Sequence, residues 1–346
     1  MFTPVGEKLT ELVFVLPGVK GIIRCGGIGM YVLGFDIGGT KCAVLLCRLE
    51  KDDVIWEDRA EIPASPDWRK VLDDLCVCAG EMLNASGADP SDCRIGISCG
   101  GPLSRDRMVI CSPPNLPGWN EVPVVSYLSE KLQMPAKMLN DADACALAEW
   151  RYGAGKGCRH MVFLTFGTGL GAGLILDGRL YTGALGLAGE VGHIRMEPDG
   201  PVGYGKAGSL EGFCSGGGIR QMAIKEAERM KKEGEKASFQ REEASDITAR
   251  DVAKAAKAGH KDARKLLESS GRYLGKGLAL LIDILNPEMI VIGSIYARSR
   301  EFLEDSMKEE IRKEALELSA AVCRVEPARL GEKIGDYGAV MAAVYE

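Results

Sequence analysis

VLGFDIGGTKCAVLLC, residues 32–47, is an apolar segment interrupted by a short glycine turn. Because apolar residues flank the turn on both sides, the pattern predicts two strands joined as a hairpin. A second stretch, residues 161–176, has the same organisation, with Gly167-Thr168-Gly169 between two apolar runs. The repetition indicates that the chain contains a duplicated core.

The rest of the chain alternates between predicted strands and helices. In order, the pattern predicts a helix over 67–83, a strand over 94–99, a helix over 122–132, a strand over 136–139, a helix over 262–285, a strand from 289, a strand near 321–325 and a last helix from 336. Asn286-Pro287 is the stop signal of the longest helix. Such alternation is typical of an α/β protein.

The overall composition is that of an ordinary globular protein, with 46% hydrophobic and 27% charged residues. A net charge of −6 argues against nucleic acid or an anionic membrane as the main partner. No apolar run reaches the roughly 18 residues that a membrane span needs. The twelve cysteines form no CxxC pair, which is typical of free thiols in a reducing compartment, so we expect a cytoplasmic protein.

Residues 1–29 precede the first predicted strand and do not resemble a signal peptide. Their apolar patch, 12–19, is broken by Pro17-Gly18 and has no basic segment before it. We interpret residues 1–29 as an extension and hypothesise that translation begins at Met30.

Both glycine turns carry residues suited to nucleotide phosphates. In both, glycines let backbone N–H groups approach an anion and a threonine adds a hydroxyl. The first turn also carries a lysine for the anion and an aspartate suited to the shell of a magnesium ion. A plain hairpin turn is the alternative for each motif alone, but two such turns favour a nucleotide site. The candidate nucleotide residues are Asp36, Gly38, Gly39, Thr40, Lys41, Gly167, Thr168, Gly169 and, for close approach of an adenine ring, Gly293.

Asn140 and Asp141 follow a predicted strand, where a carboxylate is placed to accept a proton from a substrate hydroxyl. An N-cap of the following helix, 142–152, is the alternative role for one of Asn140, Asp141 and Asp143. Glu190, His193 and Glu211 form a further polar set, and such groups bind pairs of sugar hydroxyls. For His193 alone, a structural role is the alternative.

In this order the motifs resemble the ROK family (repressors, open reading frames and kinases), within the sugar kinase, Hsp70 and actin superfamily. The matching segments are 36–41, Gly101-Pro102, 114–119, 140–142, 167–169, Gly189-Glu190, Gly192-His193, Gly208, Leu210-Glu211 and 286–288. The resemblance implies that Asp141 is the catalytic base and that Asn140, Glu190, His193 and Glu211 bind the sugar. Gly101 and Asn115 are further implied contacts.

The resemblance also implies an actin-like ATPase fold, in which two α/β domains flank an active-site cleft. We expect a smaller N-terminal domain over 30–139, joined by the C-terminal helix 333–346, and a larger domain over 140–332. A homodimer is implied as well.

The zinc site common in the family is absent from this sequence. Members place three cysteines before the glutamate that matches Glu211, but Val202, Tyr204 and Ser209 stand there. Valine cannot ligate zinc, and tyrosine and serine are poor ligands, so we expect no structural zinc. We expect packing by Tyr204 and Val202 to replace the metal.

The sequence therefore predicts a kinase that uses ATP and Mg²⁺, with the ion near Asp36, to phosphorylate a hexose hydroxyl. Glucose is the first choice of substrate, and N-acetylmannosamine or N-acetylglucosamine is the alternative. A sugar-responsive transcriptional regulator is the other class, which the acidic chain and the lack of a helix-turn-helix pattern before Met30 disfavour.

Overall fold

The computed structural model describes residues 29–51 and 53–345. The hypothesised extension therefore lies, apart from Gly29, outside the described residues. Two compact units are present. Unit 1 comprises the described residues up to Ala148, with Asp177–Arg179 and the residues from Glu332 onward, and unit 2 comprises Glu149–Leu176 and Leu180–Gly331.

The strands are β1 (Met30–Ile37), β2 (Lys41–Glu50), β3 (Asp53–Pro63), β4 (Cys93–Cys99), β5 (Ala136–Asn140), β6 (Met161–Phe166), β7 (Leu170–Leu176), β8 (Arg179–Tyr181), β9 (Val202–Gly203), β10 (Lys206–Ala207), β11 (Met289–Ile292) and β12 (Arg324–Pro327). The helices are α1 (Trp68–Ser86), α2 (Val124–Leu132), α3 (Asp141–Tyr152), α4 (Leu210–Phe213), α5 (Gly216–Lys232), α6 (Ala249–Lys257), α7 (Lys261–Leu285), α8 (Ile295–Glu314), α9 (Glu317–Val322) and α10 (Ile334–Val344).

The sheet of unit 1 has the strand order β3-β2-β1-β4-β5. β1 and β2 form the predicted antiparallel hairpin, with Ile37 paired to Cys42. β4 runs parallel to β1 and to β5. Parallel strands end at the same edge of a sheet, so Ile37, Cys99 and Asn140 bring their following residues together.

The five-stranded sheet of unit 2 repeats this order as β8-β7-β6-β11-β12. β6 and β7 are the second predicted hairpin, with Phe166 paired to Leu170. β11 runs parallel to β6 and to β12. Because a hairpin followed by two parallel strands occurs in both sheets, the predicted duplication of the core is confirmed.

Two local predictions differ from the structure. β3 was not predicted, because most of its side chains are exposed or half-buried and its sequence contains several charges. The strand expected near 321–325 begins only at Arg324, since the small residues before it belong to α9. No helix of the described residues combines the length and the hydropathy required to cross a bilayer.

α10 covers one face of the sheet of unit 1. Gly96 of β4 lies directly against the backbone of α10 at Ala339. The helix is rich in small residues, and nearly all of them are buried. The helix backbone can therefore approach the strands closely, and its first turn reaches the end of β1.

Candidate active site

The first glycine turn lies at the carboxyl end of β1. The N–H of Gly38 donates to the carbonyl of Lys41 at 3.1 Å and closes the turn. Gly39 lies directly against the carbonyl oxygen of Asn115, where any Cβ atom would clash. A glycine is required here because two backbone segments meet.

Lys41, predicted to contact phosphate, forms an ion pair with Glu61 of β3. The Nζ atom lies 2.8 Å from the Glu61 carboxylate, and the lysine side chain is 62% exposed. An exposed pair of this kind contributes little to stability. A phosphate group can therefore compete with Glu61 for Lys41.

Asp36, the last polar residue of β1, lies in a cluster of carboxylates. Its side chain packs directly against Gly335 in the first turn of α10. Burial, followed by the negative charges of Asp336 and Asp141, raises the pKa of Asp36 to about 6. Arg59 opposes this rise, and its Nε donates to both carboxylate oxygens of Asp336 at 3.1 Å.

This carboxylate cluster fits a magnesium ion. Carboxylate oxygens are the ligands that Mg²⁺ prefers, and the ion is usually held by one or two carboxylates together with substrate phosphates. A divalent cation would also relieve the repulsion between Asp36 and Asp141. The described residues contain no group of three or more acidic, histidine or cysteine side chains arranged to hold a metal on their own.

Asp141 is the first residue of α3 and directly follows β5. The Ala142 N–H donates to Asp141 Oδ1 at 2.8 Å and to Asn140 Oδ1 at 3.0 Å. Both side chains therefore contact the helix start, as the capping alternative predicts. Asp141 is exposed at the protein surface; partial desolvation of its carboxylate by the surrounding protein raises its pKa, and the Ala142 N–H lowers it.

The second oxygen of Asp141 lies in a polar group that we name the Asp141 cluster. A Cβ atom added to Gly100 would lie 3.7 Å from Asp141 Oδ2 and 3.6 Å from the amide nitrogen of Asn115. The amide nitrogen of Asn140 lies 2.9 Å from the corresponding position at Gly101. Three segments that are distant in sequence thus meet at the ends of β4 and β5. The cluster comprises Gly100, Gly101, Asn115, Asn140 and Asp141.

The second glycine turn, in unit 2, packs against the start of α5. The N–H groups of Gly216 and Gly217 donate to the carbonyls of Gly167 and Thr168 at 2.8 and 3.2 Å. Thr168 is exposed, and its hydroxyl is therefore accessible to a ligand.

Gly293, the predicted adenine contact, lies at the end of β11 beside the second turn. Its N–H donates to the Leu164 carbonyl at 2.9 Å. The hydroxyl of the next residue, Ser294, lies 3.8 Å from the position of a Cβ atom at Gly167. Ser294 has φ 52° and ψ −112°, a conformation that favours glycine.

The proposed sugar residues occupy two short helical segments of unit 2. Glu190 precedes the 3₁₀ turn Val191–His193, and the His193 N–H donates to the Glu190 carbonyl at 3.2 Å. Side chains three apart in a 3₁₀ turn lie on the same side. Glu211 lies in the first turn of α4, and its Oε2 accepts the Leu170 N–H at 2.9 Å.

The expected packing by Tyr204 and Val202 is limited in extent. Their side chains are 63% and 45% exposed, although the Tyr204 ring meets His193 edge-on. Hydrogen bonds hold this segment instead. Gln221 of α5 accepts the Val202 N–H at 2.9 Å and donates to its carbonyl at 2.8 Å. Buried Ser209 caps α4 through the Gly212 N–H.

The structure thus brings the predicted residues together in two sets. Unit 1 holds the first glycine turn and the Asp141 cluster. Unit 2 holds the second turn, Gly293 and the polar set of Glu190, His193 and Glu211. Sequence reasoning missed Asp336 and Gln221, because neither belongs to a motif and each acts on a partner distant in the chain.

Comparison with known proteins places these motifs in one family. A model of the ROK family matches residues 32–345. A glucokinase of Halalkalibacterium halodurans is 31% identical over 314 residues, which cover 89% of this chain and 93% of the relative. An N-acetylmannosamine kinase of Citrobacter koseri is also 31% identical, over 310 residues that cover 87% and 97%.

Solved structures agree with the match. The structure of a ROK family glucokinase from Streptomyces griseus, in complex with glucose and AMPPNP, is 28% identical with a TM-score of 0.74, covering 90% of this chain and 99% of that one. A ROK family transcriptional regulator, a homologue of the E. coli MLC protein, is 25% identical with a TM-score of 0.78, covering 92% and 78%. These structures confirm the predicted α/β fold of the actin-like ATPase type. The chain belongs to the ROK family.

Proposed function

We propose that this protein is a kinase that transfers the γ-phosphoryl group of ATP to a hydroxyl of a hexose. The Asp141 cluster is the observation that carries the proposal. It presents a carboxylate of raised pKa beside amide side chains and glycines at the carboxyl ends of parallel strands. A base with a raised pKa suits the acceptance of a hydroxyl proton near neutral pH.

Each residue set has a proposed role in this reaction. Asp141 accepts the proton of the attacking hydroxyl, while Asn140, Asn115 and Gly101 orient the sugar. The glycine turn of each unit binds phosphate through its backbone N–H groups, and Thr168 adds a hydroxyl in unit 2. Gly293 allows close approach of the adenine.

Asp36, with Asp141 nearby, would hold Mg²⁺, which neutralises phosphate charge when bound. Such placement of charged groups supplies most of the catalysis in phosphoryl transfer.

Glu190, His193 and Glu211 are proposed to bind the sugar. They supply two carboxylates and an imidazole, which together accept or donate to several hydroxyls. Glucose is the first candidate. N-acetylmannosamine is the second, because the kinase for that sugar is as similar in sequence as the glucokinase.

A coupled assay for ADP release tests the proposal. It should screen glucose, mannose, fructose, allose, N-acetylglucosamine and N-acetylmannosamine with Mg²⁺ and ATP. We expect turnover with one or two of these sugars, and loss of nearly all of it in an Asp141→Ala variant. Turnover at the wild-type rate by that variant would overturn the assigned base.

A sugar-responsive regulator is the second candidate function, favoured by the structural likeness to a ROK transcriptional regulator. A gel-shift assay with DNA from upstream of its own coding region, with and without each sugar, separates the two functions. Specific binding that a sugar releases, without any kinase activity, would favour the regulator.

A further inference from the structure

β7 begins at the second glycine turn and also supports the segment 189–193. The Ala172 N–H of β7 donates to the Gly189 carbonyl at 3.1 Å. Gly192 lies directly against the carbonyl of Leu170, with no room for a Cβ atom. The proposed sugar segment and the proposed phosphate turn therefore rest on the same strand.

Glu211 contacts both parts at once. Its Oε2 accepts the Leu170 N–H at 2.9 Å and lies 2.7 Å from the position of a Cβ atom at Gly169. The Cβ of Glu211 packs against two glycines: a Cβ atom added to Gly192 would lie 3.2 Å from it, and one added to Gly203 would lie 2.7 Å from it. The side chain is half-buried. This packing between two glycines directs the carboxylate against the phosphate turn.

Hydrogen bonds also tie α4, which carries Glu211, to the sugar segment. The Leu210 N–H donates to the Ile194 carbonyl at 2.8 Å. The Nζ of Lys206 donates to the His193 carbonyl at 2.7 Å. A ligand that fixes His193 therefore also restrains the helix start from which Glu211 extends.

We propose that Glu211 couples the two substrates, so that sugar binding at this residue strengthens nucleotide binding at the second glycine turn. The inference rests on the proposed kinase function. One carboxylate oxygen, Oε2, holds the Leu170 N–H, and the other, Oε1, accepts a sugar hydroxyl. With both oxygens engaged, the carboxylate is fixed in one orientation, and its hydrogen bond to the Leu170 N–H persists while the nucleotide binds the turn.

The proposed coupling is the factor by which the sugar raises the affinity for the nucleotide, and it is reciprocal. Couplings between two ligand sites are typically about 5- to 150-fold, and a single hydrogen bond places the expected value near tenfold. By linkage, the nucleotide must strengthen sugar binding by the same factor. Two independent titrations therefore measure one quantity.

Isothermal titration calorimetry provides the test. The sugar identified by the assay is titrated into the wild-type protein with and without AMPPNP and Mg²⁺, and AMPPNP is titrated with and without the sugar. We expect about tenfold coupling in both directions. Glu211→Gln keeps an oxygen that accepts the Leu170 N–H and should retain coupling of severalfold. Glu211→Ala removes the link and should reduce the factor to about one.

Glu190→Ala is the matched control, since it removes another proposed sugar carboxylate while the hydrogen bond between Glu211 and the Leu170 N–H stays in place. It should weaken sugar binding yet keep the tenfold factor. A Glu211→Ala protein that binds sugar weakly but keeps full coupling would overturn the inference. Wild-type turnover with a coupling factor of one would overturn it while leaving the kinase function intact. Failure of the wild-type protein to bind any sugar would overturn both.

Discussion

The two glycine turns occupy equivalent places in equivalent sheets, but their surroundings differ. The turn in unit 1 lies among carboxylates, where the negative charges of Asp336 and Asp141 repel that of Asp36. The turn in unit 2 lies among backbone amides, with the carboxylate of Glu211 hydrogen-bonded beside it. In the proposed mechanism, the turn of unit 1 lies beside the cation and the base, and the turn of unit 2 serves for binding. Changes in unit 1 should therefore mainly lower kcat, and changes in unit 2 should mainly raise KM.

Asp141→Asn should have the largest effect. The amide keeps the size of the carboxylate and its contact with the Ala142 N–H but cannot accept a proton. General-base catalysis contributes about 10²- to 10⁴-fold, so we expect kcat to fall by about that factor with sugar affinity nearly unchanged. Steady-state kinetics and calorimetric sugar titration measure the two quantities. A raised KM with an unchanged kcat would contradict the expectation that changes in unit 1 mainly lower kcat.

Asp36→Asn should lower turnover by about 10²-fold and raise stability at neutral pH. The folded-state pKa of about 6 lies above the ordinary value of 3.8. The penalty for ionising Asp36 in the folded protein is therefore absent below pH 3.8 and complete above pH 6.

The asparagine variant should accordingly gain about 1–3 kcal/mol over wild type at pH 7.5, and much less at pH 4.5. Urea unfolding at the two pH values measures this gain. An equal gain at both would show that charge is not its cause.

His193→Ala should raise KM for the sugar by about tenfold, with a smaller change in kcat, since one or two hydrogen bonds are lost. Because the segment is held by Gln221 and Ser209, treatment with a zinc chelator should not change the KM of the wild-type protein. Stoichiometric zinc in the purified protein, or loss of sugar binding on chelation, would contradict the proposed metal-free arrangement.

Ser294→Gly should have the smallest effect and tests the second turn alone. Ser294 adopts a φ of 52° at the start of α8, where its hydroxyl caps no helix N–H. Glycine removes the strain of this conformation but adds flexibility to the unfolded chain, so we expect a net gain of about 1 kcal/mol. Ser294→Ala keeps the strain and serves as the control. Thermal unfolding of both variants makes the comparison, and equal stabilities would argue against strain.

Local patterns in the sequence predicted the parts of the fold and site that depend on neighbours in the chain. The two hairpins follow from apolar runs around glycines, and the position of Asp141 follows from the end of β5. Contacts between residues that are distant in the sequence leave no local pattern from which they could be predicted. Arg59 lies on an unpredicted edge strand and binds Asp336, 277 residues away. Gln221 resembles any polar residue of an amphipathic helix, so its bridge to Val202 became visible only in three dimensions.

The packing of α10 against β1 and β4 has a consequence for synthesis of the protein. Almost the whole of the described chain separates β1 from the helix that covers it and that brings Gly335 against Asp36. Domains tend to fold in order as the chain leaves the ribosome. Unit 1 must therefore wait, with one sheet face uncovered, until unit 2 has been made. A nascent chain therefore cannot complete the proposed magnesium site early, and a chain truncated before α10 would expose an apolar surface.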